Sequence, residues 1–302
     1  MKRFDHLKTK LMQYCPDMEL LEQEPMSKHT TFRVGGPASL MAVPRSVQQA
    51  KVAVQTAVEE GIAPIFVGNG SNLLVTDHGL DAFVIKTVNG LANISVDGEW
   101  ITAGSGALLA RLAVVAREHG LTGLEFAHGI PGSLGGAITM NAGAYDGEMA
   151  QVVTEVTLLN SEGVLETTDQ FGFSYRHSNF QDGTRMIVGA RMQLRKGDVD
   201  SIRARMDDLM ERRKSKQPLE WPSAGSTFKR PQGYFAAALI DQCGLKGLRV
   251  GGAQVSEKHA GFVVNTGGAT CADIMELMDQ VRQRVFEQTG VTLEPEVKLL
   301  GG

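Results

Sequence analysis

Between Gly129 and Gly143 the chain reads Gly-Ile-Pro-Gly-Ser-Leu-Gly-Gly-Ala-Ile-Thr-Met-Asn-Ala-Gly, with five glycines, one serine and no charged side chain. Glycine loses more backbone freedom on folding than any other residue. Such density is therefore costly unless the backbone must turn through angles other residues avoid or lie close against something. Successive unobstructed N–H groups at a helix start can cradle a phosphate or pyrophosphate, which makes Gly132, Ser133, Gly136 and Ala137 candidate cofactor contacts. A tight turn leading into a small-residue helix packed on a neighbour accounts for the same glycines. Glycine content alone leaves both readings open.

A second stretch of this kind lies upstream. The apolar strand expected at Ala63–Val67 runs into Gly68-Asn69-Gly70-Ser71-Asn72 and then Leu73-Leu74-Val75. A strand that ends in a Gly/Asn/Ser loop turns backbone N–H groups toward whatever sits at its tip. No helix with the right start follows, so this is not the dinucleotide fingerprint of a doubly wound sheet. All five loop residues join the candidate cofactor contacts.

Composition excludes several classes. A formal net charge of −4 gives no nucleic-acid footprint. No stretch reaches the roughly 20 apolar residues of a membrane span. Lys2, Arg3, Lys8 and Lys10 interrupt any signal-peptide core in Met1–Glu22. Cys15, Cys243 and Cys271 are far apart and lack metal-type spacing, so no metal site is expected and reduced thiols suit a cytoplasmic protein. No obligate protein partner is evident.

A length of 302 residues suits two or three domains. The first thirty residues read as a peripheral helix and a connector. Short apolar strands then alternate with amphipathic helices, which fits an α+β arrangement of sheets covered by helices. Ser46 is a candidate N-cap for a helix with Val47, Val54 and Val58 at helical spacing. Val199–Ser215 reads as a helix with Ile202, Met206, Leu209 and Met210 inward and a solvated basic end, Arg212-Arg213-Lys214. Downstream come a strand near Ser226–Lys229, a helix Tyr234–Cys243, and strands Arg249–Val255 and Gly261–Val264. A long helix Cys271–Gln288 follows, with Ile274, Leu277, Met278, Val281 and Val285 on one face, and a strand Glu296–Leu300 ends the chain. The boundaries drawn are 1–28 for a peripheral segment, 29–198 for a first domain with subdomains near 29–88 and 89–198, and 199–302 for a C-terminal α+β domain.

Three short stretches carry polar groups that folding alone does not demand. In Phe173-Ser174-Tyr175-Arg176-His177-Ser178, Arg176 has the fork that clamps a carboxylate or phosphate, or it stacks on Tyr175 at the surface. In Pro222-Ser223-Ala224-Gly225-Ser226-Thr227, the small residues before Ser226 let a ligand approach its hydroxyl. That hydroxyl either donates a proton to a strongly basic carbanion or bonds its own turn. In Leu293-Glu294-Pro295-Glu296-Val297, Glu296 begins a strand and serves as an acid, an oriented partner or a solvated edge carboxylate. His259, in Ser256-Glu257-Lys258-His259-Ala260-Gly261, reads as a satisfied structural histidine and stays outside the catalytic set.

Taken in order, His29–Pro37, Gly68–Leu74, Gly129–Gly143, Ser174–Ser178, Ser223–Pro231, Ser256–Asn265 and Glu294–Val297 resemble the motifs of the UDP-N-acetylenolpyruvoylglucosamine reductase family. The resemblance runs from Thr30 to Gly301. It implies a vanillyl-alcohol-oxidase-type (PCMH-type) FAD-binding fold of two subdomains plus a C-terminal α+β domain that closes over a UDP-sugar. It also implies NADPH as reductant of FAD, and hydride transfer from the flavin to the vinyl carbon of an enolpyruvyl ether. By position, Ser226 matches the family's proton donor, and Arg176 and Glu296 match the pair that stabilises the enolate and its carboxyl group. Longer members insert a loop whose tyrosine covers the substrate. Here the tyrosines are Tyr14, Tyr145, Tyr175 and Tyr234, none of them between Arg176 and Tyr234, so the chain resembles the shorter class. His128 stands where a small residue is more usual and is assigned no role. A related FAD oxidase or dehydrogenase would use both glycine stretches but leave Ser226 and Glu296 without a task. A silent sugar-nucleotide binding module would be colourless.

Overall fold

The alternating strands and helices build two units in the computed structural model, which describes residues 3–88 and 90–301. Lys2, one of the charges noted near the start, lies outside them. The first unit comprises Met1–Glu24, Ser39–Asn69 and Ala82–Glu211; the second comprises Pro25–Ala38, Gly70–Asp81 and Arg212–Gly302. This division differs from the sequence boundaries in giving 1–24 and 199–211 to the first unit, and 25–38 and 70–81 to the C-terminal one. The cause is apolar burial: Phe32, Val34 and Leu74 share a core with Phe228, Ile274 and Val281.

Beside two short two-stranded pairs, the first unit holds two large sheets, each with its own core. One has four strands in the order Glu19–Pro25, Pro37–Val43, Leu80–Lys86, Ile65–Val67. The last two run parallel, with Val67 opposite Lys86. The first of them was not expected, because Glu-Leu-Leu-Glu-Gln-Glu-Pro lacks the alternation of a half-buried strand. Two helices cover this sheet's core, α1 (Asp5–Tyr14) through Leu7 and Leu11, and α2 (Val47–Glu59). Ser46 caps α2, its hydroxyl accepting from the Gln49 amide at 3.2 Å. The buried face of α2 is Ala50, Ala53, Val54 and Ala57, while Val47 and Val58 are exposed, contrary to the expected stripe. Small alanines let the helix approach closely, so bulk alone misjudges the face.

The other sheet is antiparallel, in the order Leu165–Thr168, Val153–Leu159, Met186–Gln193, Trp100–Gly104, Ile94–Asp97. Its core includes Leu109, Leu112 and Ala116 of α3 (Leu109–Glu118) and Leu134, Ala137 and Ile138 of the short α4 (Leu134–Thr139). Leu108 precedes α3 and is exposed.

The next helix, α5 (Val199–Lys216), buries Ile202, Met206 and Leu209. Its basic end is not uniformly solvated: Arg213 is only 8% exposed, and its Nη1 donates to Gln217 Oε1 at 3.3 Å. In the second unit α6 spans Ala236–Gln242 and α7 spans Cys271–Thr289. The predicted face of α7 is the buried one, Ile274, Leu277, Met278, Val281 and Val285. A capping box of Thr270 and Asp273 starts α7, and the Asp77 carboxylate accepts from the amides of Cys271 and Ala272 at 2.8 and 3.1 Å. Burial, aided by Asp77, pushes the Cys271 thiol up to about 11, so it stays protonated. The run 249–255 is a hairpin, Arg249–Val250 against Ala253–Val255, because Gly251 turns the chain at φ +50°. A third strand, Val263–Asn265, completes that sheet, and Leu73–Val75 pairs in parallel with Lys298–Leu300. Among the described residues no helix is long and apolar enough to cross a membrane, and no cluster of three His, Cys, Asp or Glu could hold a metal.

Candidate active site

In the first unit Gly68 and Asn69, which open the upstream glycine-rich stretch, meet the downstream one. Asn69, just past the strand Ile65–Val67, donates from Nδ2 to the Pro131 carbonyl at 2.5 Å. A Cβ on Gly68 would lie 2.3 Å from Ser133 Oγ and 3.9 Å from the Gly136 amide nitrogen. Ser133 precedes α4 and is 1% exposed, yet its hydroxyl makes no cap bond and has no hydrogen-bond partner. A buried hydroxyl without a partner is costly, and a phosphate oxygen is the kind of group that would satisfy it.

The backbone around that hydroxyl is more committed than the sequence suggests. The amides of Leu134 and Gly135 donate to the carbonyls of Ala107 and Ser105, both at 2.8 Å. Ala137 is buried, and its amide donates to the Ser133 carbonyl at 2.8 Å. Gly136, by contrast, is exposed. Gly132 lends its carbonyl to the Leu109 amide at 3.0 Å. The groups left available to a ligand here are thus the Ser133 hydroxyl and the surfaces of Gly68 and Gly136. They fit a phosphate-bearing cofactor by the partnerless hydroxyl and by the space a Cβ would fill.

Arg176 also belongs to the first unit. Ser174 and His177 exchange two backbone hydrogen bonds, at 3.2 and 3.1 Å, and close a tight turn with Arg176 at φ +54°. A left-handed conformation in a residue that is neither Gly nor Asn is strained, and such strain concentrates at functional positions. The guanidinium lies 5.0 Å from the centroid of the Tyr175 ring, and Nη2 donates to the Gly143 carbonyl at 3.1 Å. The side chain thus stacks on tyrosine, as the second reading has it, and its fork is anchored by a carbonyl at the far end of the glycine-rich stretch.

Gly70, Ser71, Asn72, Ser226 and Glu296 belong to the second unit. Gly70 is buried at φ +65°, and a Cβ there would lie 1.9 Å from the His29 carbonyl oxygen. Ser71 is half-buried in the turn that follows. The strand expected at Ser226–Lys229 is reduced to a bridge between Phe228 and Pro295, flanked by Glu296 N–H donating to Thr227 O and Lys229 N–H donating to Glu294 O, each at 2.8 Å. Lys229 Nζ also pairs with the Glu294 carboxylate. The two segments run antiparallel, so exposed Ser226 lies one register position from half-buried Glu296. Gly225 precedes it at φ +76°.

The sequence reading missed what holds Glu296. Asn72 Nδ2 donates to the Glu296 carbonyl at 3.1 Å, and the Asn72 carbonyl accepts from the Lys298 amide at 2.9 Å. Only the pairing of Leu73–Val75 with the chain end reveals this, and the sequence carries no signal for it. His259 Nδ1 accepts from the Gly261 amide at 3.2 Å, and its ring packs edge-on against Phe262. Burial is the largest cause and lowers its pKa; a backbone hydrogen bond opposes it, and the charges of Lys246 and Lys216 add a smaller lowering, which favours the neutral ring. Its ring is thus engaged by the neighbouring backbone and by Phe262.

Comparison with known proteins adds an independent line. Residues 217–300 match the family described as UDP-N-acetylenolpyruvoylglucosamine reductase, C-terminal domain, and residues 38–169 match the family described as FAD binding domain. The chain is 48% identical over 288 residues to the UDP-N-acetylenolpyruvoylglucosamine reductase of Pediococcus pentosaceus, covering 95% of this chain and 96% of the relative. It is 44% identical over 295 residues to the protein of that name from Syntrophomonas wolfei, covering 97% and 99%. The crystal structure of UDP-N-acetylenolpyruvylglucosamine reductase from Thermus caldophilus superposes with a TM-score of 0.80 at 36% identity, covering 93% of this chain and 98% of that one.

Proposed function

Since this chain belongs to the UDP-N-acetylenolpyruvoylglucosamine reductase family, we propose that Arg176, Ser226 and Glu296 carry its chemistry and that the Gly68–Ser133 region holds the cofactor. The family fixes the reaction: an FAD-dependent oxidoreductase reduces the enolpyruvyl ether of UDP-N-acetylglucosamine enolpyruvate with NADPH, in peptidoglycan synthesis. The fold is the FAD-binding α+β fold of the vanillyl-alcohol-oxidase type with a C-terminal domain. When bound, FAD supplies the hydride, so what remains for the protein is placement, charge and a proton.

Ser133 would hold a cofactor phosphate oxygen, with Gly68 and Gly136 giving it room and Asn69 bracing the loop against Pro131. Gly70, Ser71 and Asn72 continue that loop, and Gly132 and Ala137 support the cradle through the backbone. Arg176 is permanently charged and would meet negative charge on the substrate's enolate and carboxylate. Glu296 orients the same carboxyl end. Ser226 gives its hydroxyl proton to the carbon that bears the carboxylate, and solvent restores that proton because Ser226 is exposed. The observation that supports grouping Ser226 with Glu296 is the backbone bridge that leaves them one register position apart. A UDP-activated substrate, NADPH and three free cysteines suit the cytoplasm.

Ser226→Ala tests the assignment. Flavin content and thermal stability should match wild type, while kcat falls by about 10²–10⁴. A native kcat would remove Ser226 from the mechanism.

A further inference from the structure

The strained turn of Arg176 has no sheet to hold it, and side chains from two other places do that work. Asn141 is fully buried, itself at φ +42°, and uses both ends of its amide: Nδ2 donates to the Ser174 carbonyl at 3.1 Å, and Oδ1 accepts from the Ala150 amide at 2.9 Å. Gln181 reaches back from the other side, its Nε2 donating to the Arg176 carbonyl at 2.8 Å and to the Thr139 carbonyl at 3.2 Å. Ser178, 1% exposed, donates from its hydroxyl to that same Thr139 carbonyl at 2.7 Å. With Arg176 Nη2 on the Gly143 carbonyl, the turn is tied to residues 139, 141 and 143. These are alternate residues at the far end of the stretch whose near end carries Ser133.

We infer that Asn141 and Gln181 are positioning residues that fix the Arg176 guanidinium by holding its turn in a left-handed conformation it would not keep alone. The geometry argues for a specific task. A non-glycine residue at positive φ relaxes toward ordinary angles unless its surroundings over-determine it. Here the carbonyls on both sides of Tyr175-Arg176 are pinned, one by each amide. Relaxation of the turn would swing the guanidinium, and a misplacement of about 1 Å is enough to cost on the order of a hundredfold in rate. α4 lies between Ser133 and Thr139, so one rigid segment sets Arg176 relative to the cofactor hydroxyl. The inference rests on the role proposed above for Arg176.

Asn141→Asp keeps the acceptor and removes the donor; Gln181→Met keeps the length and removes both donors. Each is made in the full-length, FAD-loaded enzyme, alone and combined with Arg176→Ala. Flavin content, thermal unfolding, product affinity by calorimetry and the two half-reactions by stopped flow are then measured. Each single variant should keep its flavin and its reduction by NADPH. Each should bind the product UDP-N-acetylmuramate at least about tenfold more weakly and be reoxidised by substrate about 10–100-fold more slowly. In the Arg176→Ala background neither change should add to the loss, whereas a general packing defect would add in full. Wild-type reoxidation and product affinity in both single variants, with Arg176→Ala impaired, would overturn the positioning role while leaving Arg176 in place. Unchanged reoxidation in Arg176→Ala would overturn the role of Arg176 and the inference with it. Should buried Asn141→Asp fail to fold, the Gln181→Met arm decides by itself.

Discussion

Arg176 and Ser226 both sit on irregular backbone, but they are held by different means. The Arg176 turn is closed on itself and tied down by the side chains of Asn141 and Gln181. Ser226 begins a segment tied to 294–296 by backbone hydrogen bonds, with Thr227 reinforcing it through its hydroxyl, which accepts from the Val263 amide at 2.9 Å. A backbone tie survives most side-chain changes; a side-chain tie is lost with one atom. The loop Gly68–Asn72 repeats the contrast within five residues. Gly68 faces a rotatable hydroxyl, and Gly70 faces a backbone carbonyl.

Substitutions that exchange the two kinds of support should separate them. The largest effect is expected from Gly70→Ala. A left-handed alanine against the His29 carbonyl has no side chain to push aside, so unfolding should become easier by ~3 kcal/mol, read from denaturant melts. Gly68→Ala should leave the melt close to wild type, because Ser133 can rotate. That rotation turns the hydroxyl away from the cofactor, so flavin retention through gel filtration should fall about tenfold. Equal destabilisation by both alanines would break the contrast.

A smaller effect is expected from Asn72→Asp, which removes the donor to the Glu296 carbonyl and keeps the acceptor for Lys298. Reoxidation by substrate should slow by about tenfold, the worth of roughly one hydrogen bond, with flavin content unchanged. Loss of flavin instead would make the Asn72 side chain a cofactor contact rather than a brace for Glu296.

The smallest effect concerns His259, whose pKa is lowered on folding, chiefly by burial. The unfolded chain therefore binds the proton more readily. The neutral ring's contribution is complete above its ordinary value of 6.5 and is lost as the pH falls through the lowered folded value. Acidification from pH 7 to pH 5 should lower the wild-type Tm by on the order of 2 °C more than that of His259→Asn, which keeps an acceptor for Gly261. An identical drop in both would remove His259 from the account of acid sensitivity.

The face of α7 was legible because large aliphatic residues recur at helical spacing and nothing contests them. On α2 the same reasoning misplaced the face, since alanines gain from close approach what they lack in bulk. The strand Glu19–Pro25 was illegible for the converse reason, charged residues on a half-exposed edge. Ser226 stood out as a candidate because the small Ala224-Gly225 precede it, but that setting fits a turn serine equally well, and only the family resemblance gave it a role. The supports of the candidate residues were not legible. Asn141, Gln181 and Asn72 act through hydrogen bonds to segments far away in sequence, and no local pattern marks a carbonyl that needs holding. Nor does sequence mark a left-handed arginine, since glycine is the residue that advertises that conformation.

The measurement that bears most directly on this account is anaerobic two-step mixing of wild type and Ser226→Ala, first with NADPH and then with UDP-N-acetylglucosamine enolpyruvate, followed by flavin absorbance. Both proteins should bleach at similar rates, and only wild type should recover its colour promptly. A Ser226→Ala enzyme that recovers colour as fast as wild type, or that fails to bleach, would contradict the division between a first unit that places the flavin and a second that delivers the proton.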